Sequence, residues 1–238
     1  YAEADPTNDV AGYDAARKLA ILASIGFHAN VTFDDVLVEG IEKISQNDVQ
    51  YASEMGYTIK LLAVAIRQEN GIALNVYPAF VPRSHPLASV KGSYNAIYVT
   101  GNIVDDVMFY GKGAGSLPTA SAVMGDVIST AKHILNHSTG TGMMLTETKR
   151  IPFYSSLKLE NSYYFRLIVD DVTGVLSQIA SAYADNDISI KEVVQKSRIE
   201  DAAELMIITE KTPRENIIHV EKALQVLPCM RQVANVVR

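Results

Sequence analysis

Two long apolar runs separated by a turn signal constrain the fold of this chain most strongly. The runs cover residues 58–67 and 72–81, and Asn70-Gly71 lies between them. Asn-Gly between apolar runs is the strongest short-range signal for a β-hairpin. Residues 61–66 and 73–77 are apolar on both alternating faces, so a sheet built from them must be covered on both sides.

A second hairpin and a long helix are expected further along the chain. Residues 96–100 and 107–110 predict strands around Gly101-Asn102. A helix is expected over residues 118–136, because its first residue is a proline, which has no N–H to leave unpaired. Together with short helices predicted over residues 30–54, these elements indicate an α+β domain in which helices lie on one face of a mostly antiparallel sheet.

The last part of the chain predicts a second domain. A polar stretch at residues 138–142 marks a boundary, which assigns residues 1–150 to the first domain and 151–238 to the second. The second domain follows the order βαββαβ, which is typical of a ferredoxin-like fold. Its strands are expected at 163–169, 188–195, 205–209 and 230–237, and its helices at 175–184 and 217–226. Thr212-Pro213-Arg214-Glu215 predicts a capping box for the second helix.

The composition excludes several classes of protein. The chain has 238 residues, 48% of them hydrophobic, which is enough for the cores of two domains. A net charge of −6 and the absence of any Lys/Arg run leave no basic surface for nucleic acid. The single Cys229 excludes an internal disulfide and supplies no thiolate cluster for a metal, which indicates a cytoplasmic protein. The apolar runs are too short to cross a bilayer, so no membrane partner is expected.

The first residues concentrate charge at the entry to an apolar helix. Glu3 and Asp9 precede this helix, and Asp14 and Lys18 lie four residues apart on one of its faces. Capping and a surface ion pair explain part of the pattern, since acidic residues complement the dipole of a helix N-terminus. Residues 19–25 are apolar almost all round, which predicts a buried helix. Charged groups at a buried site must pair or take part in chemistry.

A glycine-rich loop joins a predicted strand to the long helix. It contains Gly111, Gly113, Ala114 and Gly115 in a G-x-G-x-G spacing. Backbone N–H groups at such a junction can hold a phosphate or a carboxylate. The spacing differs from the G-x-G-x-x-G dinucleotide fingerprint, and no βαβ unit surrounds it. Taken alone, the loop is equally well explained as a simple turn.

Several motifs of this sequence resemble homoserine dehydrogenase, and they occur in the expected order. The early ones are Glu3-Ala-Asp-Pro, Asp9, Asp14 and Ala16-Arg17-Lys18. The later ones are His85-Pro-Leu-Ala, Asn95-Ala-Ile and Phe109-Tyr-Gly-x-Gly-Ala-Gly-Ser-Leu-Pro-Thr-Ala-Ser-Ala-Val. The resemblance covers about the whole chain, because residues 159–238 resemble the ACT domain that ends family members of this type. It implies that a Rossmann-type nucleotide-binding domain is absent here, and the start at Tyr1 without an initiator methionine suggests a piece of a longer protein.

The resemblance implies the reduction of L-aspartate 4-semialdehyde to L-homoserine, on the branch that leads to threonine, methionine and isoleucine. Hydride addition leaves negative charge on the aldehyde oxygen, which requires a nearby proton donor or cation. By resemblance, Lys18 has this role and Asp14 binds the substrate and orients the lysine. Glu3 binds the substrate ammonium, and Asp9 is a further active-site acid that supports or caps. A group outside this chain could share the acid–base role.

The resemblance also assigns the cofactor. Gly111, Gly113, Ala114 and Gly115 are expected to approach the nicotinamide end of NADP or NAD, which the absent domain mainly binds. The chain alone is therefore expected to be inactive, because substrate binding supplies no hydride. No metal site is expected within it. His85 lies in a family motif, but a histidine before proline in a loop is more often structural than catalytic.

The ACT resemblance implies a regulatory amino-acid site between paired domains, with L-threonine as the expected effector. Asp171 would accept the ammonium, and the helix N-terminus at Gly174 would receive the carboxylate. The predicted effector-binding residues are Asp171, Val172, Thr173, Gly174, Val175 and Leu176 on the first strand–helix loop, with Ile188, Ser189 and Ile190 on the next strand. A domain that only dimerises is the alternative.

Two classes of function compete. The favoured one is the enzyme, expected as a homodimer or homotetramer, and the alternative is a non-catalytic amino-acid sensor built from an ACT domain on a dimerising sheet. Asp14 and Lys18 distinguish them, because a sensor has no use for a buried lysine beside a substrate carbonyl.

Overall fold

The computed structural model describes residues 4–138, 150–199 and 201–238, without the side chains of 197–199. The chain begins with two consecutive helices, and a short strand and a third helix follow. These elements are α1 (Thr7–Val10), α2 (Tyr13–Phe27), β1 (Leu37–Val38) and α3 (Gln46–Glu54). The strand β1 corrects the expectation that residues 30–54 form only short helices, since its two residues pair in parallel with Asn75 and Val76 of a later strand.

The predicted first hairpin is confirmed. β2 (Tyr57–Gln68) and β3 (Gly71–Pro82) pair antiparallel along their whole length, from Tyr57 opposite Pro82 to Gln68 opposite Gly71. β3 is the central strand of a three-stranded sheet, with β1 on one side and β2 on the other. The turn therefore lies at residues 69–70, one residue earlier than Asn70-Gly71 would place it.

Both faces of β3 are buried, as its two-sided apolar pattern predicts. On one face Ile72, Leu74 and Val76 pack against the buried side of α2. On the other face Tyr77 and its alternate neighbours along the strand form a separate apolar cluster. This central strand therefore fixes the position of α2, the helix that carries the candidate catalytic residues.

A second hairpin and a long helix complete the first part of the chain. β4 (Tyr94–Gly101) and β5 (Asp105–Lys112) pair antiparallel, and α4 (Ser116–Leu135) follows. The helix begins two residues before the predicted start, so its proline lies in the first turn, where its missing N–H still costs nothing. None of the residues of α4 is buried.

The second part of the chain forms the predicted ferredoxin-like unit. Its elements are β6 (Glu160–Asn161), β7 (Tyr164–Asp170), α5 (Val175–Ala184), β8 (Ile190–Ile199), β9 (Ala202–Thr209), β10 (Thr212–Pro213), α6 (Arg214–Gln225) and β11 (Met230–Val237). Four of the strands form an antiparallel sheet in the order β11-β7-β9-β8, which is the ferredoxin-like order. The core between this sheet and the two helices includes Phe165, Ile179 and Leu224.

The predicted capping box at the start of α6 is wrong. Thr212 and Pro213 pair with Asn161 and Glu160 as a short strand, and the helix starts at Arg214. Pro213 is the residue before the helix, and no side chain caps it. Strand pairing therefore holds Thr212 one position too far from the helix to donate or accept a capping bond.

The predicted division near residue 150 remains a prediction. Of the polar stretch at 138–142, residues 139–142 lie outside the described residues. Residues 152 and 154 contact the first part of the chain. Ile72 N–H donates to the Pro152 carbonyl at 3.0 Å, and Tyr154 N–H donates to the Ile72 carbonyl at 2.8 Å. No helix within the described ranges combines the length and the apolar character needed to cross a membrane.

Candidate active site

The entry to α2 is built on a close backbone approach. Gly12 precedes the helix with a φ of 80°, and a Cβ there would lie 3.0 Å from Val76 Cγ1 and 3.2 Å from Val38 Cγ1. Ile41 N–H donates to the Val10 carbonyl at 2.9 Å, which ties the loop after β1 to α1. The start of α2 is therefore held against the sheet.

Asp14 and Lys18 form the ion pair that their spacing predicts. Lys18 Nζ lies 2.6 Å from Asp14 Oδ2, and the two side chains are 65% and 45% exposed respectively. The expectation of a buried helix is wrong for this side of α2. Only one face packs on β3, while Ile21 is 62% exposed and Leu22 41%. In this chain the pair faces outward, beside apolar side chains that are also uncovered.

The other acidic residues of the motif lie at the surface or outside the described residues. Glu3 lies outside the described residues. Asp9 is exposed on α1. Asp5 Oδ1 accepts hydrogen bonds from the Thr7 hydroxyl at 2.5 Å and the Thr7 N–H at 3.1 Å, and these bonds lower the pKa of Asp5. Asp5 therefore acts as a turn-forming residue that opens α1.

The glycine loop leaves the end of β5 and enters α4. Gly113 packs so closely on Asn95 that a Cβ would lie 2.1 Å from Asn95 Nδ2, and Gly115 precedes the helix with a φ of 126°. The loop is exposed except for a partly buried Gly115. The ion pair of Asp14 and Lys18 lies within α2 and does not involve this loop. A side chain at position 113 would displace Asn95, which explains the glycine there.

His85 has a structural contact. Its Nδ1 accepts a hydrogen bond from the Leu87 N–H at 3.2 Å and so caps the short helical turn at Pro86–Ser89. Its ring lies 4.8 Å from that of Tyr98. Capping accounts for this histidine, as expected for a histidine before proline.

The predicted effector residues occupy opposite ends of the ferredoxin-like sheet. Asp170 is opposite Ala202, which is opposite Ile199, so the loop from Asp171 lies near the end of β8. Ile190 is opposite Thr209, at the other end of the same sheet. Gly174 begins α5 with a φ of 88°. One copy of the chain therefore does not bring these two groups together.

A buried ionic cluster joins the two parts of the chain. Only its capping residues can be recognised from the sequence. Arg166 on β7 contacts Asp48 on α3 at 2.7 Å and Glu204 on β9 at 3.1 Å, and Tyr51 donates to Glu204 at 2.5 Å. Burial and the hydrogen bond to Glu204 raise the pKa of Tyr51 to about 12. The spacing Ser45-x-x-Asp48 is typical of a capping box. The residues that Asp48 contacts on the ferredoxin-like unit are more than a hundred positions away in the sequence.

Metal-ligating side chains are dispersed. Within the part of the chain that the structure describes, no three His, Cys, Asp or Glu side chains lie close enough to hold a metal ion. Cys229 is buried in the core of the ferredoxin-like unit.

Comparison with known proteins first defines the class by fold. A crystal structure of a homoserine dehydrogenase from Thiobacillus denitrificans superposes with a TM-score of 0.91 at 36% identity, covering 100% of this chain and 55% of that one. An S. aureus homoserine dehydrogenase crystallised at pH 7.5 gives a TM-score of 0.67 at 30% identity, covering 92% of this chain and 52% of that one. The architecture is that of homoserine dehydrogenases.

The sequence identifies the family. A family model described as homoserine dehydrogenase matches residues 1–128, and the Corynebacterium glutamicum homoserine dehydrogenase is 40% identical over 100% of this chain and 54% of its own length. The chain belongs to the homoserine dehydrogenase family, and it spans about half the length of the curated relatives it matches.

Proposed function

We propose that this chain is the substrate-binding and regulatory part of a cytoplasmic homoserine dehydrogenase that reduces L-aspartate 4-semialdehyde to L-homoserine. Family membership together with the 2.6 Å Asp14–Lys18 pair carries the proposal. An isolated surface pair of this kind is worth only a few tenths of a kcal/mol. Its place on a helix whose outer face also carries uncovered apolar residues favours a site that another part of the enzyme closes.

The pair supplies the polar half of the reaction. When bound, the nicotinamide cofactor supplies a hydride to the aldehyde carbon. Lys18 donates a proton, or places its positive charge, at the carbonyl oxygen where negative charge develops. Asp14 accepts a hydrogen bond from Lys18 and fixes the direction of the ammonium group, and Glu3 and Asp9 hold the ammonium group of the substrate.

The cofactor, NADP or NAD, fits only partly to the described residues. The exposed backbone at Gly113, beside the partly buried Gly115, permits the close approach of a flat ring at the start of α4. The chain lacks a G-x-G-x-x-G fingerprint that would hold the pyrophosphate. We therefore assign most of the cofactor site to the half of the relatives' length that this chain does not span, and we expect the chain alone to be inactive.

Replacing Lys18 tests the catalytic role. In the full-length enzyme, Lys18→Ala should lower kcat by about 10²–10⁴-fold, the usual contribution of a positioned acid or base, while cofactor affinity remains unchanged. Steady-state rates and cofactor titration measure both quantities. The matched control is Lys222→Ala, which removes an exposed lysine from α6. A kcat for Lys18→Ala that equals that of the control would refute the assignment.

The ferredoxin-like unit is proposed to be an ACT domain that pairs with a second copy and binds L-threonine. β8 is an edge strand of its sheet, so its outer side can pair with another chain. Antiparallel pairing of two β8 strands would place the beginning of one beside the end of the other. The loop at Asp171 of one copy would then lie beside Ile190 of the second copy. This pairing would complete a site that one copy alone does not form.

A calorimetric titration of the chain with L-threonine tests this site, with L-isoleucine, L-methionine and L-lysine as comparisons. Selective, saturable binding of threonine is expected, and Asp171→Asn should weaken it by about tenfold, as expected for loss of one charge-assisted hydrogen bond. Asp185→Asn is the matched control, since Asp185 follows the other end of α5. Absence of binding, or equal affinities in both variants, would favour a domain that only dimerises.

A further inference from the structure

A cavity of about 370 Å³ lies at the seam between the two parts of the chain. Its walls include Glu39 from the loop after β1, Tyr163 from just before β7, and Arg214 from α6. Arg238, after the end of β11, completes the charged lining. We call this space the seam cavity. It contains neither Asp14 and Lys18 nor the residues of the proposed threonine site.

Two guanidinium groups converge in the seam cavity on one carboxylate oxygen. Arg238 Nη1 lies 3.1 Å from Glu39 Oε2, and Arg214 Nη2 lies 3.7 Å from the same atom. The Arg238 side chain is only 8% exposed, and its guanidinium stacks 4.2 Å from the ring centroid of Tyr77. One carboxylate oxygen cannot satisfy two forked donors, so the cavity retains positive charge and unused N–H groups.

Two polar atoms of the lining residues are buried without a hydrogen-bond partner in the described part of the chain. The Tyr163 hydroxyl and Arg214 Nη1 make no hydrogen bond to the described residues, and Tyr163 is 4% exposed. A buried polar group without a partner costs about 1–3 kcal/mol. Burial and the neighbouring Arg238 lower the pKa of Arg214, which is the response of a cation that lacks enough negative charge around it. The cavity therefore lacks one negatively charged hydrogen-bond acceptor.

We propose that the seam cavity binds a small oxyanion, a carboxylate or a phosphate, between Arg214, Arg238 and Tyr163. Guanidinium groups match the geometry of both anions through paired N–H donors, and a tyrosine hydroxyl adds a third donor. The volume is large enough for a small organic acid. Lys43 and Glu221 also line the cavity, and together with Glu39 and the two arginines they leave the lining side chains with one positive charge in excess.

An anion in the seam cavity would act on the candidate catalytic segment through one short loop. Glu39 N–H donates to the Val76 carbonyl at 2.8 Å, and two residues later Ile41 N–H donates to the Val10 carbonyl at 2.9 Å. Between them, a Cβ on Gly40 would lie 2.5 Å from the Val10 carbonyl oxygen. An anion that competes with Glu39 for the guanidinium groups therefore loosens a loop that is packed directly on the residues preceding α2.

Titration of the chain with inorganic phosphate and, separately, with succinate at constant ionic strength tests the proposal. Saturable binding of about one equivalent of either anion is expected by calorimetry, with a rise in Tm. Arg214→Gln should raise Kd about tenfold, and Tyr163→Phe about threefold, as expected for loss of charge-assisted and neutral hydrogen bonds respectively. The two probes show whether the cavity prefers the planar or the tetrahedral anion.

Arg231→Gln is the matched control, because it removes the same charge from an arginine on β11 that pairs with Asp170 outside the cavity. Its Kd should equal that of the unmodified chain. If Arg214→Gln does not fold, Tyr163→Phe removes one oxygen at nearly constant volume and provides the comparison. The proposal is overturned if neither anion binds saturably, or if the folded cavity variants bind as tightly as Arg231→Gln.

Discussion

Asp48 combines two tasks that usually fall to different residues. As a capping residue of α3, its Oδ2 accepts hydrogen bonds from the Ser45 N–H at 2.9 Å and the Ser45 hydroxyl at 2.7 Å. The same carboxylate receives Arg166 Nε at 2.7 Å and Asn235 Nδ2 at 2.9 Å from the ferredoxin-like sheet. Complete burial raises the pKa of Asp48, but these donors outweigh burial and hold the pKa below its usual value.

Asp48→Asn should destabilise the chain by about 2–3 kcal/mol, because it weakens the charge-assisted hydrogen bond from Arg166 and sets an amide N–H group against other donors, while Glu204 remains as the buried counter-charge of Arg166. Urea unfolding measures the loss. Asp35→Asn is the matched control, since Asp35 makes the same capping contacts to Thr32 at 2.8 and 2.7 Å on an exposed turn. The control should lose only about 1 kcal/mol. Equal losses in the two variants would contradict a special role for the buried cluster.

The depressed pKa of Asp48 also predicts the direction of an acid effect. A carboxyl whose pKa is lower in the folded chain stabilises that chain above its unfolded pKa, about 3.9. This stabilisation is lost as the pH falls below that value and through the folded pKa. Urea unfolding between pH 6 and pH 3 should therefore show a steeper loss for the unmodified chain than for Asp48→Asn. Parallel profiles would mean that other carboxyl groups control acid unfolding.

The two glycines of the α2 segment illustrate opposite demands within one element. Gly12 has a φ of 80° and two valine methyl groups within 3.2 Å of its missing Cβ, whereas Gly26 has open space. Gly12→Ala should cost about 1–3 kcal/mol through left-handed strain and crowding. Gly26→Ala should stabilise the helix by about 0.5 kcal/mol. Thermal unfolding checks both changes, and a neutral Gly12→Ala would show that α2 can move away from β3.

At the scale of helices and strands, the sequence predicts an element correctly where the pattern that specifies it involves only neighbouring residues. The Asn70-Gly71 hairpin and the βαββαβ order follow from apolar periodicity and turn residues, which depend on near neighbours. Strand β1 is two residues long and exists because β3 offers a free edge, and no local pattern contains that information. The Arg166–Asp48 contact joins residues 118 positions apart, so only the folded sheet reveals it. The exposure of Lys18 likewise depends on what covers α2.

At the scale of the whole molecule, the exposed apolar surfaces gather at one part of the chain. α4 repeats an apolar residue every three or four positions, yet it has no buried residue. Apart from Ala120 and Ala131, the repeat consists of Leu117, Met124, Val127, Ile128, Ile134 and Leu135, all more than half exposed. A helix with such a stripe is stable when another surface packs on it. Because α4 follows directly from the proposed cofactor loop, we expect the cofactor-binding half of the enzyme to supply that surface.

Hydrogen exchange should separate α4 from the rest of the chain. In the chain alone, amides of α4 are expected to exchange at least about tenfold faster than those of α6, whose Ile217, Val220 and Leu224 are buried. In the full-length enzyme α4 should become as protected as α6, while α6 itself is unchanged. Mass spectrometry of peptides from both helices measures the rates. Equal protection of the two helices in the chain alone would mean that α4 is covered without the other half of the enzyme. A second copy of this chain would then supply the covering surface.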